Sequence, residues 1–456
     1  MRKRVVIVGA GLCGAVLATR LRDAFDVTVV EQSRKRHPLY DDIVCAGGGV
    51  TTTINRAAGP GGTTNYWHNA LIELDRDDLD KCGLDARELA AYYRQAWSFF
   101  LSEEEIAAAA AIGARNAAAV PPTTRVAHMV VPQARANAWI AANRVFPGRD
   151  VAVRYGRAER IVAGKGTATQ VVVRNGDAVT ELDADHVIVC AGGLATPAIL
   201  ASSIGHREMR AGGYHDHPMA YVAKVRLRPE SVLKRISCAD SGALSVRTGF
   251  VYQAGGLKAV FYLRPALSLD LRPITGEARY VLSDLRNDPF SPRKIIQLLG
   301  NIEALREAVL FKTRAGFRGD YYSVLMLGEQ RPVADRGLLM RPSQLPELNW
   351  HVRDDEHSAY QESLGQFLGG MAGEIVEQNV VDAAKWDYRT AAHHSGTGRD
   401  FLDPTAPGLD FFAAQHLPGV FVCDGSVLRS GGVANSGLTL VALSLRLAER
   451  LIAERA

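Results

Sequence analysis

Residues 4–31 read RVVIVGAGLCGAVLATRLRDAFDVTVVE, which is an apolar strand, a glycine-rich turn, a helix and a second apolar strand. Gly9 permits the tight turn, Gly11 lets the backbone approach a pyrophosphate at the start of the helix, and Gly14 lets helix and strand pack closely. Glu31 ends the second strand, where its carboxylate can accept hydrogen bonds from ribose hydroxyls but would repel a 2′-phosphate. This stretch therefore predicts a dinucleotide site and disfavours NADP.

The composition is that of an ordinary soluble globular protein with room for two domains. The chain has 456 residues, 47% of them hydrophobic, which is enough for a large core. The net charge of +4 is small against 53 basic and 49 acidic residues, and no long basic run occurs, so a nucleic-acid partner is not predicted. No apolar run reaches the length of a membrane span, and the first strand starts too close to Met1 to leave room for a signal peptide.

The six cysteines show no metal-ligand spacing, so no metal site is predicted. Cys13, Cys190 and Cys423 lie in or beside apolar runs, as small core residues do. We therefore expect reduced thiols in a cytoplasmic protein.

A second glycine-rich segment, residues 59–69, reads GPGGTTNYWHN. Paired glycines followed by hydroxyls offer bare amides and Oγ donors to a phosphate, and the amide and aromatic side chains after them can lie against a flat ring. A tight polar loop without a ligand is the alternative interpretation. The residues of interest are Gly61, Gly62, Thr63, Asn65, Tyr66 and Trp67.

At this segment the chain resembles the glucose-methanol-choline (GMC) family of FAD-dependent oxidoreductases. In that family a Gly-Gly-Ser/Thr-Ser/Thr stretch follows the N-terminal fingerprint and runs along the pyrophosphate to the flavin. Further segments match the family in the same order along the chain. They are residues 187–200 (VIVCAGGLATPAIL), 213–218 (GYHDHP), 393–399 (HHSGTGR), 422–426 (VCDGS) and 435–439 (NSGLT).

The chain also departs from the family pattern. His394 and Asp400 stand where the family's HPxGTxRM motif has Pro and Met, and Ser436 stands where its N-P pair has Pro. Some members bond FAD covalently through a histidine at the position of Tyr66, so the resemblance implies noncovalent FAD here. Trp67 matches a tryptophan of several sugar and sugar-acid dehydrogenases of the family.

The resemblance implies an α/β fold with two domains. Residues 1–100, 131–212 and 391–456 would form a Rossmann-like FAD-binding domain, and residues 101–130 would be a connecting helix and loop. Residues 213–390 would form a substrate-binding domain with an antiparallel sheet backed by helices. The elements predicted in these parts are strands at Tyr221–Leu227, Gly249–Gln253, Ala259–Leu263 and Tyr321–Met326, and helices at 105–119, Asp355–Val380 and Thr439–Ala453.

The family's motifs also assign residues to the cofactor. Ala158 matches a backbone contact to adenine, and Asp424 with Gly425 matches the pair that meets the ribityl and pyrophosphate portion. Thr439 lies at a helix start whose positive end would face the N1–C2=O edge of reduced flavin. The full set predicted to hold FAD is Gly9, Gly11, Leu12, Cys13, Gly14, Glu31, Gly61, Gly62, Thr63, Asn65, Tyr66, Trp67, Ala158, Ala191, Asp424, Gly425, Asn435, Ser436 and Thr439.

Alcohol oxidation needs a base for the O–H proton and the flavin N5 for the C–H hydride. His393 aligns with the histidine of the family's HxxGT motif, and an imidazole, with an ordinary pKa of ~6.5, can accept a proton at working pH. His394 is the alternative base, because the doubled histidine permits a shift of one residue. Asn435 aligns with the second catalytic position, which is His or Asn in relatives, and we expect it to orient the substrate; a plain turn is the alternative.

The sequence thus predicts an FAD-dependent enzyme that oxidises an alcohol on a small or medium-sized polar molecule, with sugar-like or specialised-metabolite alcohols favoured. Oxygen and an unidentified carrier stay open as electron acceptors. A flavin-containing lyase is the alternative, because the family includes hydroxynitrile lyases that keep FAD without net electron transfer. Retention of both His393 and Asn435 argues against a binding protein that has lost catalysis.

One further helix is predicted from Pro292 to about Thr313. Ser291 can cap it and Pro292 suits its first position, while its apolar residues follow helical spacing. Either the helix packs on the substrate domain, or it forms an active-site cover or docking surface. It is too short to span a bilayer.

Overall fold

The computed structural model describes residues 2–39, 43–46, 56–67, 70–132, 151–163, 169–205, 208–242, 244–266, 271, 292–300, 305, 319–341 and 344–454. Within these ranges the 3₁₀ turns are Gly62–Tyr66, Ala383–Lys385 and Gly425–Val427. The helices are Leu12–Leu21, Arg76–Lys81, Ala86–Trp97, Glu103–Ala118, Thr196–Ser203, Val232–Ile236, Pro292–Gly300, Asp354–Gly370 and Gly437–Ala453.

A five-stranded parallel sheet organises the part of the molecule that carries the glycine-rich turn. Its central strand is buried from Val5 to Val8, and Ile7 lies opposite both Val29 and Ile188. Strands buried on both faces need apolar residues throughout, as this sequence provides. In spatial order the strands are Val420–Val422, His186–Val189, Arg4–Val8, Asp26–Glu31 and Ala152–Tyr155.

Two helices from opposite ends of the chain cover this sheet together. Leu12–Leu21 packs against Gly437–Ala453, and the latter also packs against Ala86–Trp97. Most of the buried residues of Gly437–Ala453 are apolar. The first and last segments of the sequence therefore share one core.

An eight-stranded antiparallel sheet forms the second large unit. The helix Asp354–Gly370 packs on it, and Phe367 of that helix stacks on Phe261 with ring centroids 5.0 Å apart. The main path of strands is Ala239–Ser241, Leu244–Ala254, Leu257–Pro265, Tyr321–Gly328, Pro218–Leu227 and Ile375–Val380, with Val126–Pro132 pairing to the second and Arg389–Thr390 to the fifth.

Three smaller sheets complete the described fold. The first is antiparallel, with strands Arg157–Ala163, Thr169–Asn175 and Ala178–Ala184; the second joins Met209–Gly212, Gly337–Met340, Glu347–Asn349 and Val44–Ala46; the third pairs His37–Leu39 with Arg56–Ala58. No helix among the described residues is long and apolar enough to cross a membrane.

Most of the predicted elements are present, with one correction. The four predicted strands, the helix near 105–119 and the last helix all form, several of them longer than predicted. The predicted helix Asp355–Val380 is wrong beyond Gly370, because the glycine pair Gly369 and Gly370 ends it and Ile375–Val380 pairs as a strand with Pro218–Leu227.

Two other predicted segments have mixed outcomes. The helix beginning at Pro292 is described to Gly300, and residues 301–304 and 306–313 lie outside the described residues. The strand Val126–Pro132 begins in the predicted connecting segment and pairs with Leu244–Ala254 in the antiparallel sheet.

A buried ion pair allows a test of the fold. The guanidinium of Arg336 donates to both carboxylate oxygens of Glu356 at 2.7 Å, and neither side chain is exposed. Glu356→Ala leaves the buried cation without its carboxylate, so we expect a loss of about 3–5 kcal/mol in the free energy of unfolding, measured by urea titration. Asp80→Ala, which removes the exposed partner of Arg76, is the control and should cost less than about 1 kcal/mol. Equal losses in the two variants would contradict this assignment.

Candidate active site

The glycine-rich turn leaves a cradle at the start of the first helix. Gly9 has a φ of +108°, and a Cβ there would lie 2.4 Å from the Cys190 carbonyl oxygen. A Cβ on Gly14 would lie 2.0 Å from the Gly9 carbonyl oxygen. A Cβ on Gly11 would meet nothing within 4 Å, so the backbone there faces open space. These positions have the geometry that the fingerprint predicts.

The Glu31 carboxylate ties three backbone segments together. Its Oε2 accepts a hydrogen bond from Ala10 N at 2.9 Å, and its Oε1 accepts from Gly59 N at 2.8 Å and Ser33 N at 3.2 Å. A carboxylate offers about four acceptor positions, so one is left after these three amides. The side chain is 6% exposed, which makes this anion part of the fold as well as of the cradle.

The second glycine-rich segment lies directly on the first. Gly61 N donates to the Ala10 carbonyl at 2.8 Å, and a Cβ on Gly62 would lie 3.3 Å from Gly11 Cα. Asn65 Nδ2 donates to the Gly62 carbonyl at 2.8 Å and closes the turn. The two segments, which are far apart in the sequence, therefore form one continuous backbone surface.

The predicted aromatic residue Trp67 lies at the far end of this surface. Its ring meets the Phe100 ring edge-on with centroids 5.9 Å apart, and a Cβ on Gly437 would lie 2.6 Å from its Cη2 atom. The start of the last helix is thus packed against this tryptophan. Behind it, Thr439 is fully buried with its Oγ1 atom 2.8 Å from the Tyr93 hydroxyl. His68 and Asn69 lie outside the described residues.

Asp424 closes the other side of the cradle. Its Oδ2 accepts from Gly192 N at 2.9 Å and from Thr196 Oγ1 at 2.5 Å, and its Oδ1 accepts from the backbone and hydroxyl of Ser426 at 2.9 and 2.7 Å. Burial raises the pKa of Asp424 above its ordinary value, although these hydrogen bonds act in the opposite direction. All its acceptor positions are used within the protein, so we expect its side chain to shape the cradle rather than to contact a ligand.

The remaining predicted cofactor residues belong to several elements of the fold. Leu12 and Cys13 have buried side chains, so they would offer backbone amides at the helix start. Ala191 follows the strand His186–Val189, and Ala158 is buried in the strand Arg157–Ala163. Thr63 and Tyr66 belong to the 3₁₀ turn Gly62–Tyr66, Gly425 follows Asp424, and Ser436 immediately precedes the last helix.

The structure brings His393 and Asn435 together. Asn435 Nδ2 lies 3.0 Å from His393 Nε2, and Asn435 is 8% exposed. On its other side, His393 Nδ1 lies 2.7 Å from His217 Nδ1, with the two rings meeting edge-on. The imidazole of His393 therefore lies between an amide and a second imidazole.

The carboxylate of Asp216 holds this arrangement in place. Its Oδ1 accepts from His217 N at 2.6 Å and from His393 N at 3.1 Å, and its Oδ2 accepts from the hydroxyls of Tyr214 and Thr390. Burial acts to raise the pKa of Asp216, but the neighbouring imidazoles and the Thr390 hydroxyl outweigh it and lower the pKa below its ordinary value. Asp216 is therefore a buried carboxylate anion at neutral pH.

His394 points away from Asn435 into a different environment. Its Nδ1 lies 2.8 Å from the Tyr214 hydroxyl and 3.7 Å from Asp216 Oδ2, and its ring stacks on Tyr214. Burial lowers the pKa of His394 to about 4, against the opposing effect of the Asp216 carboxylate. The His394 carbonyl lies so close to Gly193 and Gly425 that a Cβ on either would approach its oxygen to 2.1 or 2.3 Å.

Three side-chain atoms of the kinds that bind metal ions lie within 4.8 Å of one another, and they belong to Asp216, His217 and His393. Two nitrogen ligands on a tetrahedral Zn²⁺ at about 2.1 Å would lie about 3.4 Å apart. The 2.7 Å between the two Nδ1 atoms is the length of a hydrogen bond instead. We therefore describe this group as a hydrogen-bonded cluster.

His217 and Asp216 were not predicted to belong to the site. They lie in the segment GYHDHP at 213–218, which matches the family at the start of the predicted substrate-binding domain. The only signal was that two acid–base residues precede Pro218 where the chain enters its long strand. Their contact with His393 depends on a pairing between distant segments, which includes the bridge between His215 and Ser395.

Comparison with solved structures finds this fold in pyridoxine 4-oxidase from Mesorbium loti, with a TM-score of 0.61 and 15% sequence identity over 98% of this chain and 99% of that chain. This likeness confirms the predicted α/β fold. No protein-family model and no curated protein matches the sequence.

The burial of two histidines makes the free energy of unfolding depend on pH. Burial lowers the pKa of His394 and of His215 from 6.5 to about 4 each. The unfolded chain therefore binds more protons than the folded chain below about pH 6.5, so the free energy of unfolding should fall as the pH drops from about 6.5 to about 4. Urea titrations across this range should show a smaller fall for His394→Gln, whereas His37→Gln, which removes an exposed imidazole, should match the parent protein. If the free energy of unfolding fell as much in His394→Gln as in the parent protein, the lowered pKa of His394 would be contradicted.

Proposed function

We propose that this protein is an FAD-dependent oxidoreductase that oxidises an alcohol on a small or medium-sized polar molecule to a carbonyl. The observation that carries the proposal is the 3.0 Å contact between His393 Nε2 and Asn435 Nδ2, two residues 42 positions apart that the family motifs single out independently. The fold shared with pyridoxine 4-oxidase supports an oxidation as the reaction class.

The cradle fits noncovalent FAD. The backbone at Gly11 faces open space at a helix start that has no acidic residue in its first turn, which suits a pyrophosphate. Glu31 keeps one acceptor position for a ribose hydroxyl after binding three amides. Asn435 Oδ1 is buried and has no hydrogen-bond partner among the described residues, so it can bind a polar group of the flavin or substrate. Tyr66 cannot form the histidyl link of covalent relatives.

The residues of the chain supply the proton transfer and the orientation. FAD, when bound, supplies the hydride acceptor. His393 Nε2 accepts the proton of the substrate hydroxyl, because an imidazole lone pair beside Asn435 is the base that this cluster provides. The Asn435 amide can donate to the hydroxyl oxygen and hold the reacting carbon in position without exchanging a proton. We place the base at His393 and not at His394, because His394 Nδ1 is bound to the Tyr214 hydroxyl beside Asp216 and burial lowers the pKa of His394 to about 4.

The proposal leaves the electron acceptor as oxygen or another carrier, and it requires neither a nucleic acid nor a metal. A cytoplasmic location follows from the interpretation of the cysteines as reduced thiols. Pyridoxine belongs in the set of substrates to test, because the structurally similar oxidase is named for it.

Glu31→Arg tests the cofactor site. The substitution removes the acceptor for three amides and for the ribose, so we expect the purified variant to carry much less FAD than the parent protein. Flavin released on denaturation is identified by chromatography and counted by absorbance. Glu181→Arg, at an exposed position, is the matched control and should keep its FAD. Full FAD in Glu31→Arg would refute this role, and flavin colour retained by the denatured polypeptide would refute noncovalent binding.

Anaerobic reduction tests the reaction and the base. We expect bleaching of the flavin band by at least one of benzyl alcohol, glycerol, glucose and pyridoxine. His393→Ala should keep its FAD but slow this reduction by roughly 10²- to 10⁴-fold, the usual contribution of a positioned base, and His394→Ala should slow it much less. Turnover with an unchanged flavin band would indicate the lyase instead. A larger loss in His394→Ala would move the base by one residue.

A further inference from the structure

We infer that His217 is a positioning residue that fixes the tautomer of His393, so that the proton of the neutral ring sits on Nδ1 and the lone pair on Nε2. This inference rests on the proposed function, since it concerns how His393 becomes ready to accept a proton. Three hydrogen bonds run in one direction through the two rings and fix the tautomer.

The first hydrogen bond determines which ring nitrogen of His217 carries the hydrogen. His217 Nε2 lies 3.2 Å from the Gly431 carbonyl oxygen. A carbonyl oxygen can only accept, so His217 Nε2 must carry a hydrogen and donate it. Gly431 permits this approach, because a Cβ at that position would lie 2.9 Å from the same Nε2 atom.

Through the second hydrogen bond, the tautomer of His217 determines the tautomer of His393. His217 is 2% exposed, and burial lowers its pKa, so the ring is neutral at pH 7 and its Nδ1 carries a lone pair. The two Nδ1 atoms are 2.7 Å apart, and one of them must donate. Since His217 Nδ1 has no hydrogen, His393 Nδ1 is the donor.

The third hydrogen bond agrees with this direction. A neutral imidazole has one N–H, so a hydrogen on His393 Nδ1 leaves a lone pair on Nε2. Asn435 Nδ2 lies 3.0 Å from that atom and can donate to its lone pair until a substrate hydroxyl takes that place. In the other tautomer, His393 Nε2 would already hold a hydrogen and could not accept one from a substrate.

Charged groups from several elements surround the pair. The Asp216 carboxylate binds the backbone amides of both histidines; along the chain, His215 adjoins Asp216 and His394 adjoins His393. Asp78 and Glu329 act on His217 from the far side and oppose the effect of burial on its pKa. The tautomer is therefore set by the geometry of the His217 ring against Gly431 as well as by its neutrality.

Two substitutions separate the two hydrogen bonds of His217. His217→Gln can still donate an amide hydrogen to the Gly431 carbonyl, but it offers no acceptor at the Nδ1 position. His217→Asn places an amide oxygen near the Nδ1 position and so keeps an acceptor for His393. We expect the Nδ1–H form of His393 to decrease in the order parent protein, His217→Asn, His217→Gln.

The tautomer is measured on FAD-loaded protein labelled with ¹⁵N-histidine, by two-bond proton–nitrogen correlation at pH 8, where neutral rings dominate. The His393 signals are assigned by their loss in His393→Gln. We expect an unprotonated Nε2 in the parent protein and a populated Nε2–H form in His217→Gln. If that variant fails to fold, Gly431→Ala takes its place, because its Cβ displaces the His217 ring.

Three results would overturn the inference: a protonated Nε2 on His393 in the parent protein, the same tautomer in His217→Gln, or an Nδ1–H population in His217→Asn no higher than in His217→Gln. If an alcohol bleaches the parent flavin, His217→Gln should also slow that reduction at least 10-fold, with normal FAD content. If no alcohol does so, the proposed function fails, while the tautomer measurement still decides this inference.

Discussion

The buried carboxylate of Asp216 is the interaction on which the site depends. It accepts hydrogen bonds from the amides of His217 and His393 and from two hydroxyls, and so joins the segment 214–217 to the segment 390–394. A buried carboxylate is costly unless such donors surround it. The donors come from both segments, so neither segment alone can satisfy the charge. The carboxylate therefore requires the approach that places two imidazoles side by side.

The cradle is likewise built around a buried carboxylate, that of Glu31. Glu31 collects amides from the fingerprint turn, from its own strand end and from the second glycine-rich segment, so the walls of the cradle meet at one carboxylate. Asp424 joins the strand end near Gly192 to the turn that precedes the last helix. Parallel strands end at one edge of the sheet, which brings these acids to the same side of the molecule. Local turns and strand order together thus build the surface.

Local sequence patterns predicted the elements of this fold well, and the contacts between distant segments less well. Gly9 and Gly14 predicted their turn because a Cβ at either position would collide with backbone atoms, so only glycine fits there. The helix after Arg353 was predicted too long, since its end depends on Gly369 and Gly370 and on the pairing of the strand that follows. His217 was not assigned to the site because its bonds to His393 and Gly431 span long sequence separations.

The path of the backbone at His394 is fixed by two glycines that lie elsewhere in the sequence. The His394 carbonyl is enclosed by Gly193 and Gly425, two positions at which any side chain would collide with it. The path of the backbone is thus imposed from outside the residue, while the side chain occupies a separate space beside Tyr214. The two glycines therefore fix the path of the backbone, whereas the side chain of His394 is held separately by its burial beside Tyr214 and Asp216. A side chain added at position 193 or 425 would displace the His394 peptide, and with it the adjoining His393, without altering any side chain of the histidine cluster.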